Sequence, residues 1–157
     1  MRPAALPIGL RLTQVSRAVA RAFDEALAAA GGSLPVWLVL LNLKTRSLGN
    51  QRALAEAMGI TEATLTHHLN AMEAAGLVTR HRDPANRRVH VVGMTEDGEQ
   101  AFLRLRDTAI AFDGQLRRGI SDADAARLSQ VLDRLAANVA ADVDDRAPWA
   151  GFADQAP

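Results

Sequence analysis

Residues 50–92 have the sequence NQRALAEAMGITEATLTHHLNAMEAAGLVTRHRDPANRRVHVV, and this stretch decides the fold. Its first part predicts a short amphipathic helix, because its apolar residues lie one turn apart and Gly59 follows as a residue that accepts a positive φ. Thr61 occupies the N-cap position of a second helix, which continues to Ala75 and ends at Gly76. The pattern predicts two helices joined by a tight turn.

The second of these helices has one apolar stripe and one slim polar face. Leu65, Leu69 and Met72 recur at spacings of four and three, so we expect them to pack on the preceding helix. The opposite face carries small and hydrogen-bonding residues, which suits entry into a DNA major groove about 12 Å wide. The candidate DNA contacts on this helix are Thr61, Thr64, Thr66, His67 and Asn70.

Three residues of this helix keep alternative interpretations. Thr61 is equally explained as a helix cap. Glu62 either accepts a hydrogen bond from cytosine N4 or points away from the groove. His68 lies nearer the apolar stripe and is expected to be a partly buried structural histidine, or else a pH-sensitive element.

A β-hairpin is predicted after the second helix, with strands at 77–82 and 87–92 around a turn at 83–86. Pro84 and its polar neighbours supply the turn chemistry. The positive charge on the strands and the loop comes from four residues, Arg80, Arg82, Arg87 and Arg88. Such a hairpin suits contacts to phosphates and the minor groove, and the candidate contacts are Arg82, Arg87 and Arg88.

The charge distribution agrees with a DNA-binding segment although the formal net charge is zero. Residues 44–92 carry seven basic and four acidic residues, whereas residues 93–157 carry seven basic and twelve acidic ones. Positive charge is therefore concentrated where DNA would bind. The chain has no cysteine, which excludes disulfides, thiolate metal sites and thiol redox sensing.

The motifs of this stretch resemble the MarR (multiple antibiotic resistance regulator) family of winged helix-turn-helix regulators. The residues that carry the resemblance are Leu54-Ala55, Met58-Gly59-Ile60-Thr61, Leu65-Thr66, Met72-Glu73-Ala74-Ala75-Gly76-Leu77-Val78 with Arg80, Asp83-Pro84, Asn86-Arg87-Arg88, Val92, and Met94-Thr95 with Gly98. One position departs from the family pattern: Asn86 stands where the family's wing usually has an aspartate. An asparagine hydrogen-bonds an arginine but does not form an ion pair with it.

The segments around the winged core predict helices that hold two copies together. Apolar residues recur at helical spacing in 10–30, in a helix that Thr95 can cap and whose apolar stripe runs from Phe102 to Leu116, and in a last helix that begins near Ser121. None of these helices is needed to complete the winged core. The fold class is mainly α (α+β), a winged helix-turn-helix (33–98) inserted in a helical dimerisation bundle (1–32 and 99–146), with a C-terminal tail at 147–157. The expected dimerisation residues are Leu12, Val19, Phe102, Phe112, Leu116, Leu128 and Leu135.

The resemblance implies a homodimeric transcriptional regulator, and we expect a repressor of a pseudo-palindromic operator that a small molecule releases. In this family, effectors often bind between the DNA-binding winged helix-turn-helix (33–98), called the reading head below, and the helical dimerisation bundle. Trp37 and Arg17 are therefore candidates for contacts to an aromatic or anionic effector, although the favoured interpretation of Trp37 is a core residue. The alternatives are a winged-helix module that binds a protein instead of DNA and a metal-sensing repressor.

No catalytic motif, cofactor or metal site is predicted. The adjacent pair His67 and His68 diverges by about 100° on a helix, so both side chains cannot face one ion. The longest apolar run, 34–43, is half the roughly 20 residues that a membrane span needs, and no leader is recognised near Met1. We therefore expect a cytoplasmic protein without a membrane segment.

Overall fold

The computed structural model describes residues 6–46 and 49–139. The elements follow in the order α1 (Ile8–Ala29), α2 (Leu34–Arg46), α3 (Gln51–Met58), α4 (Glu62–Ala74), β1 (Val78–Arg82), β2 (His90–Met94), α5 (Glu96–Leu116) and α6 (Asp122–Val139). The chain is thus mainly helical with one small antiparallel sheet, and the predicted fold class is confirmed. The tail predicted at 147–157 lies outside the described residues.

The ends of the central helices are where local sequence rules place them. The Asn50 side chain accepts hydrogen bonds from two backbone N–H groups of the first turn of α3, and Gly59 ends that helix with φ +65°. Thr61 caps α4 by accepting from the backbone N–H of Thr64. Gly76, with φ +74°, follows α4 and turns the chain toward β1.

The second strand lies further along the chain than predicted. Arg82 pairs with His90 and Val78 with Met94, so β2 covers 90–94 instead of 87–92. The cause is the turn: the Asp83 N–H donates to the Val89 carbonyl at 2.9 Å, which closes a seven-residue loop at 83–89 before pairing begins. Arg87 and Arg88 consequently lie on the loop and not on a strand.

The core forms around α2, which passes between the winged segment and α5. Its side chains pack against the buried stripes of α3, α4 and α5, and the buried residues of this core include Trp37, Val39, Leu40, Leu41, Leu54, Leu65, Leu69, Met72, Phe102 and Leu105. Burying one such side chain contributes about 1.5–3 kcal/mol relative to leaving it exposed. The core therefore ties α5 to the reading head within one protomer.

This arrangement corrects the expectation for Phe102 as a dimerisation residue. Phe102 is 1% exposed, and its ring stacks on Trp37 with 5.8 Å between the ring centroids and 12° between the ring planes. The first half of the α5 stripe is thus used inside the protomer. Only the second half, toward Phe112 and Leu116, leaves the core.

The glycine pair at 31–32 separates two helices that differ in direction by 80°. Across the described ranges, no single helix is long and apolar enough to cross a bilayer; α1 and α2 meet the length and composition test only when taken together across this bend.

Candidate DNA interface

The outward face of α4 carries the small and polar residues that the sequence predicts there. Leu65, Leu69 and Met72 are buried, whereas His67 and Asn70 are exposed. In the part of the chain that the structure describes, the His67 ring contacts the His68 ring, with the centroids 5.8 Å apart, and no polar group. The exposed His67 side chain is therefore accessible to an outside partner, and His68 is half-buried, as expected.

The three predicted threonines of this helix are already engaged by the protein. Thr61 and Thr64 lie 2.9 Å apart through their hydroxyl oxygens, in addition to the cap. The Thr66 hydroxyl donates to the Glu62 carbonyl at 2.8 Å and accepts from the Gln51 amide at 2.8 Å. Thr66 thus fixes α4 against α3 and has no hydroxyl proton left for DNA, whereas Thr61 and Thr64 remain exposed at the helix N-terminus.

Arg80 links the hairpin to α4. Its guanidinium donates to Glu73 at 2.7 and 3.1 Å and to the Asn70 side-chain oxygen at 2.6 Å, and its backbone N–H donates to Glu73 at 3.2 Å. The hydrogen bonds from the Arg80 side chain hold the pKa of Glu73 below its ordinary value. The paired guanidinium sets the position of the hairpin on α4 and orients Asn70.

Sequence reasoning counted Arg80 only as a positive charge and missed this contact. The available signal was the seven-residue spacing to Glu73 across the glycine turn, but a local pattern does not show that a helix end and a strand start face each other. With its oxygen facing Arg80, Asn70 presents its NH₂ group outward.

The loop at 83–89 carries Arg87 and Arg88. The Asp83 carboxylate accepts from the Ala85 N–H at 2.8 Å, and the Asn86 side chain accepts from the Arg88 N–H at 3.2 Å. Asn86 therefore shapes the loop through the backbone and not through an arginine side chain. Among residues 6–46 and 49–139, Arg82, Arg87 and Arg88 form no ion pair, and all three are exposed.

The resulting surface combines an exposed helix with an arginine-bearing hairpin clamped to it. Arg80 and Glu73 offset each other, so the net positive charge of this face comes from the three exposed arginines. Guanidinium groups contact phosphate oxygens and narrow minor grooves, and a slim helix face contacts base edges. The arrangement is chemically suited to double-stranded DNA.

A cavity of about 520 Å³ lies between α1, α2 and α5. Its lining residues are Val19, Ala20, Phe23, Leu34, Trp37, Leu38, Ala109, Phe112, Asp113 and Leu116. Trp37 is both core and cavity wall, so the two interpretations of this residue are compatible. Arg17 is exposed on α1 and does not line the cavity, which corrects the expectation that it and Trp37 share one pocket.

Apolar residues also lie exposed on the outer helices. No residue of α6 is buried within the protomer, and α1 buries Leu27 alone. Of the predicted dimerisation residues, Leu12 is 41% exposed, Leu116 41% and Leu128 51%, while Val19, Phe112 and Leu135 are half-buried. Within the described residues, no group of three His, Asp or Glu side chains is arranged to hold a metal ion.

Comparison with known proteins gives one family. The family model described as the MarR family matches residues 33–90. A candidate transcriptional regulatory protein for the hcr operon of Thauera aromatica is 29% identical over 129 residues, which are 82% of this chain and 78% of that protein.

Solved structures of regulators share the fold. The MarR-family transcriptional regulator of Rhodococcus sp. RHA1 is 26% identical, with a TM-score of 0.69 over 87% of this chain and 96% of that one. The transcriptional regulator PA3341 is 32% identical, with a TM-score of 0.69 over 83% and 96%. The repressor CouR bound to a 23-mer DNA duplex is 24% identical, with a TM-score of 0.71 over 82% and 92%, and CouR of Rhodococcus jostii RHA1 has also been solved with p-coumaroyl-CoA.

Proposed function

Because this chain belongs to the MarR family of transcriptional regulators, we propose that it is a homodimeric repressor that binds a pseudo-palindromic operator and is released by a small molecule. The observation that carries the DNA-binding part is the exposed α4 face beside three arginines that have no ion-pair partner among the described residues. CouR, which shares the fold, has been solved on a DNA duplex. A protein that binds DNA acts where the DNA is, so the proposal places the chain in the cytoplasm.

Some of the proposed contacts position the protein on the DNA, and others recognise the base sequence. Arg82, Arg87 and Arg88 contact phosphates and the minor groove, which gives affinity with little dependence on sequence. His67 and Asn70 face base edges in the major groove. The NH₂ group of Asn70 then donates to an acceptor such as guanine O6 or thymine O4, because its oxygen is occupied by Arg80.

The dimer is supported by apolar surface that one protomer does not cover. Leu128, Val131 and Leu132 of α6 are 38–51% exposed, and Ile8 and Leu10 of α1 are 57–63% exposed. Exposed apolar residues in such a number on two helices favour association with a second copy. A symmetric pair presents two α4 helices, and successive major grooves on one DNA face are about 34 Å apart.

Release by a small molecule is supported by the cavity between α1, α2 and α5. The cavity joins helices of the proposed dimer bundle to α2, which packs directly on the reading head. A ligand that binds unequally to two spacings of the heads shifts the protein toward the spacing it prefers. DNA affinity falls when that spacing no longer matches the two grooves.

The test is binding to the DNA upstream of the gene that encodes this chain, at two salt concentrations and with random DNA as competitor. We expect binding that resists the competitor, a footprint of two half-sites about one turn apart, and log K that falls steeply with log salt. Light scattering on the same sample should give twice the 16.8 kDa of one chain. Absence of salt-dependent DNA binding, both there and in a genome-wide selection of bound fragments, would favour a module that binds a protein.

A further inference from the structure

The walls of the 520 Å³ cavity are almost entirely apolar and contain three aromatic rings. Phe23 of α1 and Phe112 of α5 contact each other with their ring centroids 5.0 Å apart, and Trp37 of α2 is 2% exposed. The remaining apolar lining residues are Val19, Ala20, Leu34, Leu38, Ala109 and Leu116. Flat apolar molecules bind such a site most favourably, because they stack on the aromatic rings and their apolar surface is removed from water.

The charge of the cavity comes from one residue. Among the described residues, Asp113 is the single ionisable side chain that lines it. The Arg117 guanidinium pairs with the Asp113 carboxylate at 3.8 Å and with the Asp122 carboxylate at 3.5 Å, and it is itself half exposed. Two carboxylates thus share one guanidinium, so this group of three side chains carries a net negative charge. None of the described lysines, arginines or histidines lines the cavity.

We propose that this cavity binds flat aromatic compounds that carry an ammonium group, and that it discriminates against aromatic carboxylates. The ring lies among Phe23, Trp37 and Phe112, and the ammonium group donates to Asp113. Aromatic faces attract a cation, whereas a carboxylate placed there loses its water and faces the like charge of Asp113, and none of the described lining residues is basic. This inference rests on the proposed function only in naming the ligand as the effector, since the binding itself requires no DNA.

The experiment compares three probes with the same ring by calorimetry on the full chain at neutral pH without DNA. The probes are 1-naphthylmethylamine, 1-naphthylmethanol and 1-naphthylacetate, which carry a positive, zero and negative charge. We expect the amine to bind at least about tenfold more tightly than the acetate, with the alcohol between them; a tenfold ratio corresponds to 1.4 kcal/mol.

Two variants and one control assign the preference to this site. Asp113→Asn should reduce the amine-to-acetate ratio to about threefold or less while the alcohol binds as before. Asp107→Asn removes an exposed carboxylate from the same helix, outside the cavity, and should leave the ratio unchanged. Ala20→Phe adds a ring at an exposed lining position and should weaken all three probes. Thermal melts check that each variant is folded.

The proposal is overturned if the acetate binds as tightly as the amine, if Asp113→Asn keeps the preference, or if no probe binds because a second copy fills the cavity. Adding the amine to the operator-binding assay then distinguishes a failure of this ligand proposal from a failure of the proposed regulatory function. Operator binding without any amine binding leaves the proposed regulator and removes this inference. Amine binding that depends on Asp113, in a chain that binds no DNA, leaves the ligand site and removes the regulator.

Discussion

Gly98 and Gly114 lie on the same helix, α5, and replacing each by alanine should change stability in opposite directions. A Cβ at Gly98 would overlap the Leu77 carbonyl oxygen and lie 2.8 Å from Cγ of Met94. A Cβ at Gly114 meets nothing within 4 Å. Both residues are helical, so the intrinsic gain from glycine to alanine is about 1 kcal/mol in each case and the difference lies in packing.

The free-energy cost of a methyl group at Gly98 depends on the neighbouring groups that it displaces. The Leu77 carbonyl accepts the hydrogen bond of the Thr95 N–H at 3.1 Å, at the point where β1 is tied to the start of α5. Overpacking of a buried site costs about 1–3 kcal/mol, and weakening this hydrogen bond adds about 1 kcal/mol. After the helix-propensity gain is subtracted, Gly98→Ala should destabilise the protein by about 1–3 kcal/mol.

The assay is urea unfolding followed by circular dichroism at equal protein concentrations, because the stability of the proposed dimer would depend on concentration. Gly114→Ala should unfold at higher urea than the parent, by up to about 1 kcal/mol, and Gly98→Ala at lower urea. A Gly98→Ala protein as stable as the parent would refute the reasoning, because it would mean that the hairpin accommodates a methyl group without cost.

Three further predictions test other contacts. Thr95→Ala should cost about 1–2 kcal/mol in urea unfolding, because it removes a helix cap and a second hydroxyl hydrogen bond at 2.6 Å, whereas Thr95→Ser should keep most of the stability. Glu73→Gln should lower stability at neutral pH, since Arg80 hydrogen-bonds the carboxylate and lowers its pKa. That contribution is present above the ordinary value of 4.5 and is lost as the pH falls through the lower folded pKa, so the difference from the parent should shrink in unfolding measured below pH 4.5 and a constant difference would contradict it. Arg88→Ala should weaken DNA binding on all sequences and flatten the salt dependence, whereas His67→Ala should change sequence preference more in a selection experiment; unchanged binding by both would mean that the surface is misplaced.

The helix ends and the reading face could be predicted because they depend on neighbours in the chain. Thr61 caps α4, Gly59 takes the left-handed conformation and Thr95 starts α5, each through bonds to groups within a few residues. The exposure of His67 and Asn70 follows from the position of the apolar stripe on the same helix. These features can be predicted without knowing which helices pack against each other.

The features that were missed depend on how the chain folds back on itself, even where the residues involved are only six to ten positions apart. The strand shift to 90–94 depends on how the loop closes between Asp83 and Val89, and turn residues alone do not specify its length. The contact of Arg80 with Glu73 and Asn70 depends on the hairpin folding back over α4. Arg17 is separated from the cavity because the exposed side of α1 carries it.

By itself, the sequence determined the elements, their order and the apolar side of each helix, because capping and the 3.6-residue period act locally. Tertiary structure decided which apolar residues are covered within one protomer. Phe102 and Leu116 belong to one stripe of α5, yet Phe102 is 1% exposed against Trp37 and Leu116 is 41% exposed. The helical period of apolar residues indicates which side chains need burial, but it does not identify the surface that buries them. Because α2 lies beside the first half of α5, Phe102 belongs to the core, whereas Leu116 stays exposed.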